Sequence, residues 1–193
     1  KTHAIMYKAY LYNMGFEQGF DTWFNMPRAN NTADDNLALA TQWLLKNKKQ
    51  RFFLFFHLND PHQPFNHPEP FASLYQKPVS EFSYKLPITI GTRNQVLGCS
   101  NCAHQGRVKP AFKTVAKALY DSALNFTDDR VGRLLNVLKQ QGLYDDTIIV
   151  IVSDHGEVMW DRMNYFGHGG PLMTEELIRV PLIIKPHRTY ASK

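Results

Sequence analysis

Three apolar runs punctuate the chain, one of them unbroken. Ile148-Ile149-Val150-Ile151-Val152 is too short for an ordinary helix and rich in β-branched residues, so it predicts a central strand covered on both faces. Phe52-Phe53-Leu54-Phe55-Phe56-His57-Leu58 predicts a second buried strand, and Val180 to Ile184 a third. Elsewhere the period lengthens to that of a helix. Leu37, Ala40, Thr41, Leu44 and Leu45 form one apolar face, preceded by Thr32 and Asp35 in the spacing of a capping box. Lys46, Lys48 and Lys49 follow, where they oppose the negative end of the helix dipole. Pro110 opens a longer helix whose stripe runs through Phe112, Val115, Leu119, Ala123, Phe126, Val131, Leu134, Leu135 and Leu138 to Gly142. Asp128, Asp129 and Arg130 interrupt it and predict a kink or a break into two helices, with the acid pair on a solvated face. Lys1 to Asn25 reads as a strand followed by a loop that turns near Gly15 and Gly19. Pro68 to Pro110 reads as a surface excursion too long for a plain connection, which suits a substrate-facing lid.

Chemistry gathers where two of these strands stop. After Val152 come Ser153, Asp154, His155, Gly156 and Glu157, at the carboxyl end of a strand where open α/β sheets collect their ligands. An Asp and a His on adjacent residues there can reach one metal ion. His168, in a loop framed by Gly167, Gly169 and Gly170, can reach whatever that metal polarises. The Phe52 strand ends in Asn59-Asp60-Pro61-His62-Gln63-Pro64, where the prolines take the chain out of the sheet and hold His62 between them in a restricted backbone. His62 therefore reads as a site residue, whereas His57, inside the apolar run, reads as a core histidine with a satisfied hydrogen bond.

Composition changes this picture in a few places. The 193 residues are enough for one substantial core and carry a formal net charge of +5. Lys77, Lys85, Arg93, Arg107, Lys109, Lys113 and Lys117 lie in a stretch whose only acid is Glu81, either a solvated loop or a landing site for an anionic substrate. No reader motif or aromatic-basic repeat accompanies them, which argues against nucleic acid. Cys99 and Cys102 stand as Cys-Ser-Asn-Cys with no second pair to complete a zinc site, so a local disulfide or two free thiols are favoured over a metal knuckle. No apolar segment approaches the ~20 residues that span a bilayer. The chain opens on Lys1 without a visible signal peptide, and so reads as part of a longer polypeptide. Asn30 and Asn125 open Asn-x-Thr sequons, which permit glycosylation in a secreted protein.

Several segments taken together resemble the sulfatase family of the alkaline phosphatase superfamily. Gly15-Phe16-Glu17-Gln18-Gly19-Phe20-Asp21 resembles its Gly-Phe-Asp segment, and FFLFFHLNDPHQPF from Phe52 to Phe65 its strand ending in Asp-Pro-His-x-Pro. YDSALNFTDDRVGRLLNVLKQQGLYDDTIIVIVSDHGE from Tyr120 to Glu157 resembles its long helix and metal-binding strand, and the match continues through Gly167-His168-Gly169 to the segment Glu175 to Ile184. Order and spacing carry the resemblance over most of the chain, leaving about Pro68 to Pro110 without a counterpart.

The resemblance implies an α/β fold with a mixed, largely parallel sheet flanked by helices on both faces. It implies that Asp154 and His155 are ligands of a divalent cation, with calcium the family expectation and manganese, magnesium or zinc as alternatives, since imidazole is a better ligand for manganese or zinc. His62 falls where a histidine contacts the sulfate or donates a proton to the leaving ester oxygen, and His168 near a second basic group on the same anion. Glu157, Glu176 and Arg179 are expected to be structural. The family's formylglycine, made from Cys or Ser in a Cys/Ser-x-Pro-x-Arg motif, has no counterpart in the sequence, nor has its first-strand Asp pair. Both are expected upstream, so that residues 1–193 form a partial, N-terminally incomplete catalytic domain that alone binds metal weakly and does not turn over. The expected activity of the complete protein is hydrolysis of sulfate esters, with a sulfated glycan as an anionic substrate and a lysosomal, extracellular or periplasmic location. A phosphodiesterase, phosphonate monoester hydrolase or phosphoglycerol-type transferase is the enzymatic alternative, and an inactive binding module the other.

Overall fold

The computed structural model describes residues 1–6, 14–25, 33–62, 65, 67–75, 110–161, 166–168 and 173–190. They belong to two compact units, Lys1–His62 with Ala123–Asp145 and Gln63–Ser122 with Asp146–Lys193. The basic residues from Lys77 to Lys109, Cys99, Cys102, the Asn30 sequon and the proposed Thr32 cap lie outside the described residues.

The first unit is built on a parallel sheet of β1 (Thr2–Met6), β2 (Thr22–Asn25) and β3 (Phe53–Phe56) in the order β2-β1-β3. The middle strand is the buried one: His3, Ala4, Ile5 and Met6 are all enclosed, because β1 has a hydrogen-bonded neighbour on each side and touches helix α1 (Ala33–Asn47). Sequence patterning placed only a strand and a loop before Asn25, and β2 is an addition. Its four residues are too short to show a period, and pairing with β1 defines them. His3 is held by Nδ1 contacts to Thr22 O at 3.0 Å and Thr22 Oγ1 at 2.6 Å. Its ring stacks on Trp43 at 5.0 Å. Burial pushes its imidazole pKa below the ordinary value, against the opposing effect of the Thr22 contact.

Helix α1 buries Ala33, Asn36, Ala40 and Leu44, a face spaced by three and four residues. Leu45, expected on that face, is exposed, since it lies a full residue beyond the stripe. The Ala33 N–H donates to Asp60 Oδ1 at 3.2 Å, so the acid that follows β3 caps α1 from outside. Burial raises the Asp60 carboxyl pKa, and the Ala33 N–H opposes that rise.

Helix α2 (Pro110–Gln140) is a single helix of 31 residues, correcting the expected break into two helices at Asp128-Asp129-Arg130. Asp128 is exposed as expected. Arg130 is not: its side chain is 6% exposed. Its Nε and Nη2 fork the two oxygens of Asp34 at 2.9 and 2.9 Å, Nη1 donates to Asp129 at 3.1 Å, and the guanidinium lies 3.7 Å from the centroid of Phe126. The charged triplet is therefore a tie to α1 rather than an interruption. The helix ends at Gly142 (φ 66°), where the N–H groups of Gly142 and Leu143 donate to Lys139 O and Leu138 O at 3.0 and 2.8 Å. This is the paired bonding of a Schellman motif, in which glycine tolerates the left-handed backbone.

The second unit carries two antiparallel ladders: β4 (Ile149–Val152) with β7 (Leu182–Lys185), and β5 (Val158–Met159) with β6 (Phe166–Gly167). A short helix, α3 (Glu175–Ile178), precedes β7. The expectation that β4 is covered on both faces is not met among the described residues. Val150 and Val152 are 54% and 60% exposed, and the only ladder partner of β4 there is β7. A continuous apolar run reports what a strand can bury, while actual cover depends on neighbours. Phe53 and Phe55 of β3 are exposed for the same reason. Within the second unit Phe65 meets Tyr120 and Phe166 edge-on, and Trp160 stacks on Phe166 at 4.6 Å. Of the basic residues described, Lys113 lies over the Trp160 ring at 5.8 Å and Lys117 pairs with Asp161. Among the described residues no helix is long and apolar enough to cross a membrane. The whole is an α/β architecture with mixed strand directions, parallel in the first unit and antiparallel in the second.

Candidate functional site

The end of β4 is shaped by backbone bonds that leave little freedom. Ser153 Oγ donates to His155 O at 2.6 Å, and the His155 N–H donates to Asp154 Oδ1 at 3.0 Å. The Gly156 N–H then donates to Leu177 O at 2.8 Å, which clamps the turn against α3. No side chain fits at that point, because a Cβ on Gly156 would lie 1.9 Å from Glu176 O. Glycine is needed here for close backbone approach, not for an unusual φ.

This turn orients Asp154 and His155 together. His155 Nδ1 faces Gly156 O at 2.8 Å, so its other nitrogen, Nε2, is directed to Asp154 Oδ2, 3.7 Å away. Asp154 uses Oδ1 for the backbone and keeps Oδ2 on that side. An anionic oxygen and a neutral imidazole nitrogen at this separation fit one divalent cation, whose bonds to such donors run about 2.0–2.6 Å. Among the described residues no three His, Cys, Asp or Glu side chains converge as a metal cluster. The pair therefore amounts to two donors.

His168 joins them. Its ring stacks on His155 with centroids 4.2 Å apart and planes inclined by 30°. Nδ1 meets Glu157 Oε2 at 2.9 Å. The ladder accounts for that contact: Val158 pairs with Gly167 in antiparallel register, so Glu157 and His168 are the next pair along. Glu157, read from sequence as a structural acid, is in direct contact with a candidate site residue. The only sequence signal for this was the chance of a hairpin between Val158 and Gly167. Glu176 lies within α3, and Arg179 caps its C-terminal end.

His62 belongs to the first unit, and Asp154, His155 and His168 to the second. After β3 the His57 N–H donates to Ile5 O at 3.0 Å, and the His62 N–H closes a turn on Asn59 O at 3.0 Å. His62 is half-buried there. His57 is half-buried as well, and its carbonyl accepts a bond from Asn36 Nδ2 at 3.0 Å, which ties the residue into the first unit through its backbone.

The chain as a whole matches a known family. The sulfatase family model matches residues 2–193, and the chain belongs to the sulfatase family. It is 30% identical to human iduronate 2-sulfatase over 125 residues, 58% of this chain and 23% of that protein. It is 28% identical to a sulfatase of Formosa agariphila over 171 residues, 83% of this chain and 32% of that protein. Among solved structures, the phosphonate monoester hydrolase of Silicibacter pomeroyi is 25% identical with a TM-score of 0.55, covering 80% of this chain and 33% of that one. A protein solved with its substrate D-glucosamine-2-N,6-O-disulfate has a TM-score of 0.63 at 18% identity, covering 98% of this chain and 53% of that one, a likeness of fold. The chain spans a third or less of the length of these curated relatives.

Proposed function

We propose that the chain forms the cation- and anion-binding part of a hydrolase of sulfate esters. The observation that carries this is the cluster at the end of β4, where Asp154 Oδ2 and His155 Nε2 stand 3.7 Å apart and the ring of His168 stacks on His155. Asp154 and His155 hold a divalent cation, calcium by family expectation and manganese, magnesium or zinc by donor type. When bound, that ion draws charge from the ester's anionic oxygens. His168 binds the same anionic group through an imidazole nitrogen. For His62 the family resemblance supports a role as an anion contact or proton donor. The nucleophile, a formylglycine in this reading, lies outside the chain.

The substrate class is supported by the same chemistry: a tetrahedral anionic group such as a sulfate ester suits a cation flanked by imidazole donors. A sulfated glycan is supported by relatives that include iduronate 2-sulfatase and by the fold neighbour solved with a disulfated glucosamine. A location outside the cytoplasm belongs to the same proposal. The second reading, hydrolysis of phosphonate or phosphate diesters, is favoured by the likeness to the phosphonate monoester hydrolase. Hydrolysis of an aryl sulfate against an aryl phosphate, by a polypeptide joining this chain to the rest of the family domain, separates them. Preference for the sulfate supports the proposal, and preference for the phosphate replaces it with the second reading.

A further inference from the structure

Glu157 is buried although neither the cation nor the anion role requires it to be. Its side chain is 5% exposed, Oε2 is joined to His168 Nδ1 at 2.9 Å, and Oε1 is buried with no hydrogen-bond partner among the described residues. A buried carboxylate is costly unless its bonds are needed, and a residue that merely filled this space would be apolar. The position is also over-determined. Gly156 is clamped on one side, and the pairing of Val158 with Gly167 fixes the other. Tyr120, whose phenol pKa is raised first by burial and next by the charge of Glu157, senses the same carboxylate.

We propose that Glu157 is a positioning residue for His168. By accepting the Nδ1 proton it selects the Nδ1-protonated tautomer of the neutral ring and turns Nε2 away from itself, where that nitrogen becomes a donor to an anionic group once a second proton makes the ring an imidazolium. A carboxylate behind an imidazole fixes tautomer and orientation in this way wherever the other nitrogen has work to do. His155 is arranged in parallel, with Gly156 O as its acceptor in place of a carboxylate. Two stacked imidazoles thus act through the same atom, one toward a cation and one toward an anion. The second assignment rests on the proposed function; the tautomer does not.

Long-range proton–nitrogen correlation spectra of the nitrogen-15-labelled chain, recorded at alkaline pH where imidazoles are neutral, test this directly. His168 is expected to carry its proton on Nδ1 in the wild type and in Glu157→Gln, whose amide oxygen still accepts. In Glu157→Ala the proton moves to Nε2. Below the ordinary histidine pKa of about 6.5, where the ring carries both protons, addition of inorganic sulfate is expected to shift the His168 Nε2 signal in the first two proteins and to require at least tenfold more sulfate in the third. A wild-type His168 protonated on Nε2 overturns the proposal, and this measurement needs no variant to fold. An alanine variant that keeps the wild-type tautomer and sulfate response overturns it too. If the tautomer follows Glu157 while sulfate moves no His168 signal in any protein, the positioning role of Glu157 is upheld and the sulfate-site reading fails.

Discussion

Arg130 shows how one charged side chain can be structural in the middle of a helix. Its fork on Asp34 and its stack on Phe126 each need a planar guanidinium. Arg130→Ala is therefore expected to destabilise the chain by about 3 kcal/mol and Arg130→Lys by about 1–2 kcal/mol, as read from urea denaturation midpoints. Gly156 has a steric role instead. Gly156→Ala drives a Cβ into the carbonyl of Glu176, a backbone atom that cannot swing aside, and a loss of about 2–3 kcal/mol is expected by thermal denaturation. His3 sets a pH dependence. Its folded pKa is lowered, so the unfolded chain takes up the proton first as pH falls. The stability it contributes is complete above the ordinary histidine pKa and is lost as pH drops below about 6.5. His3→Gln is expected to flatten the stability curve over that interval, and a curve of unchanged slope would rule the explanation out. None of these roles was legible in the sequence. A charge triplet reads as surface, and a lone His near the start of the chain has no pattern around it.

Elements were more legible where their period was long. The two principal helices were foreseen from apolar spacing, and the end of α2 at Gly142 from the glycine itself. The strands at β3, β4 and β7 were foreseen from apolar runs, but their exposure was not, because burial depends on neighbours that a run does not name. β5 and β6, with two residues each, are below the length at which alternation can be seen. With them went the Glu157–His168 contact, which only their register creates. The continuity of α2 has a consequence for Gly132, which lies inside it with open space around the position a Cβ would take. Gly132→Ala is expected to stabilise the chain by about 0.5–1 kcal/mol, since alanine restricts the unfolded chain and favours helix. A destabilised variant would mean that the helix is interrupted there after all.

At the scale of the molecule, the residues singled out from sequence fall into both units: His62 in the first, and Asp154, His155 and His168 in the second. Strand ends bearing acids and imidazoles were enough to find these residues, because α/β sheets place chemistry there. The arrangement within the second unit rests on a glycine that admits close backbone contact and a ladder of two residue pairs. The Asp154–His155 pair is the centre of the proposed site. Titration of the chain with manganese, followed by paramagnetic broadening of assigned nuclear magnetic resonance signals, is the direct measurement. The prediction is that Asp154 and His155 broaden first, His168 close behind, and that Asp154→Ala removes the effect. Broadening that begins elsewhere, or that survives Asp154→Ala unchanged, would contradict it.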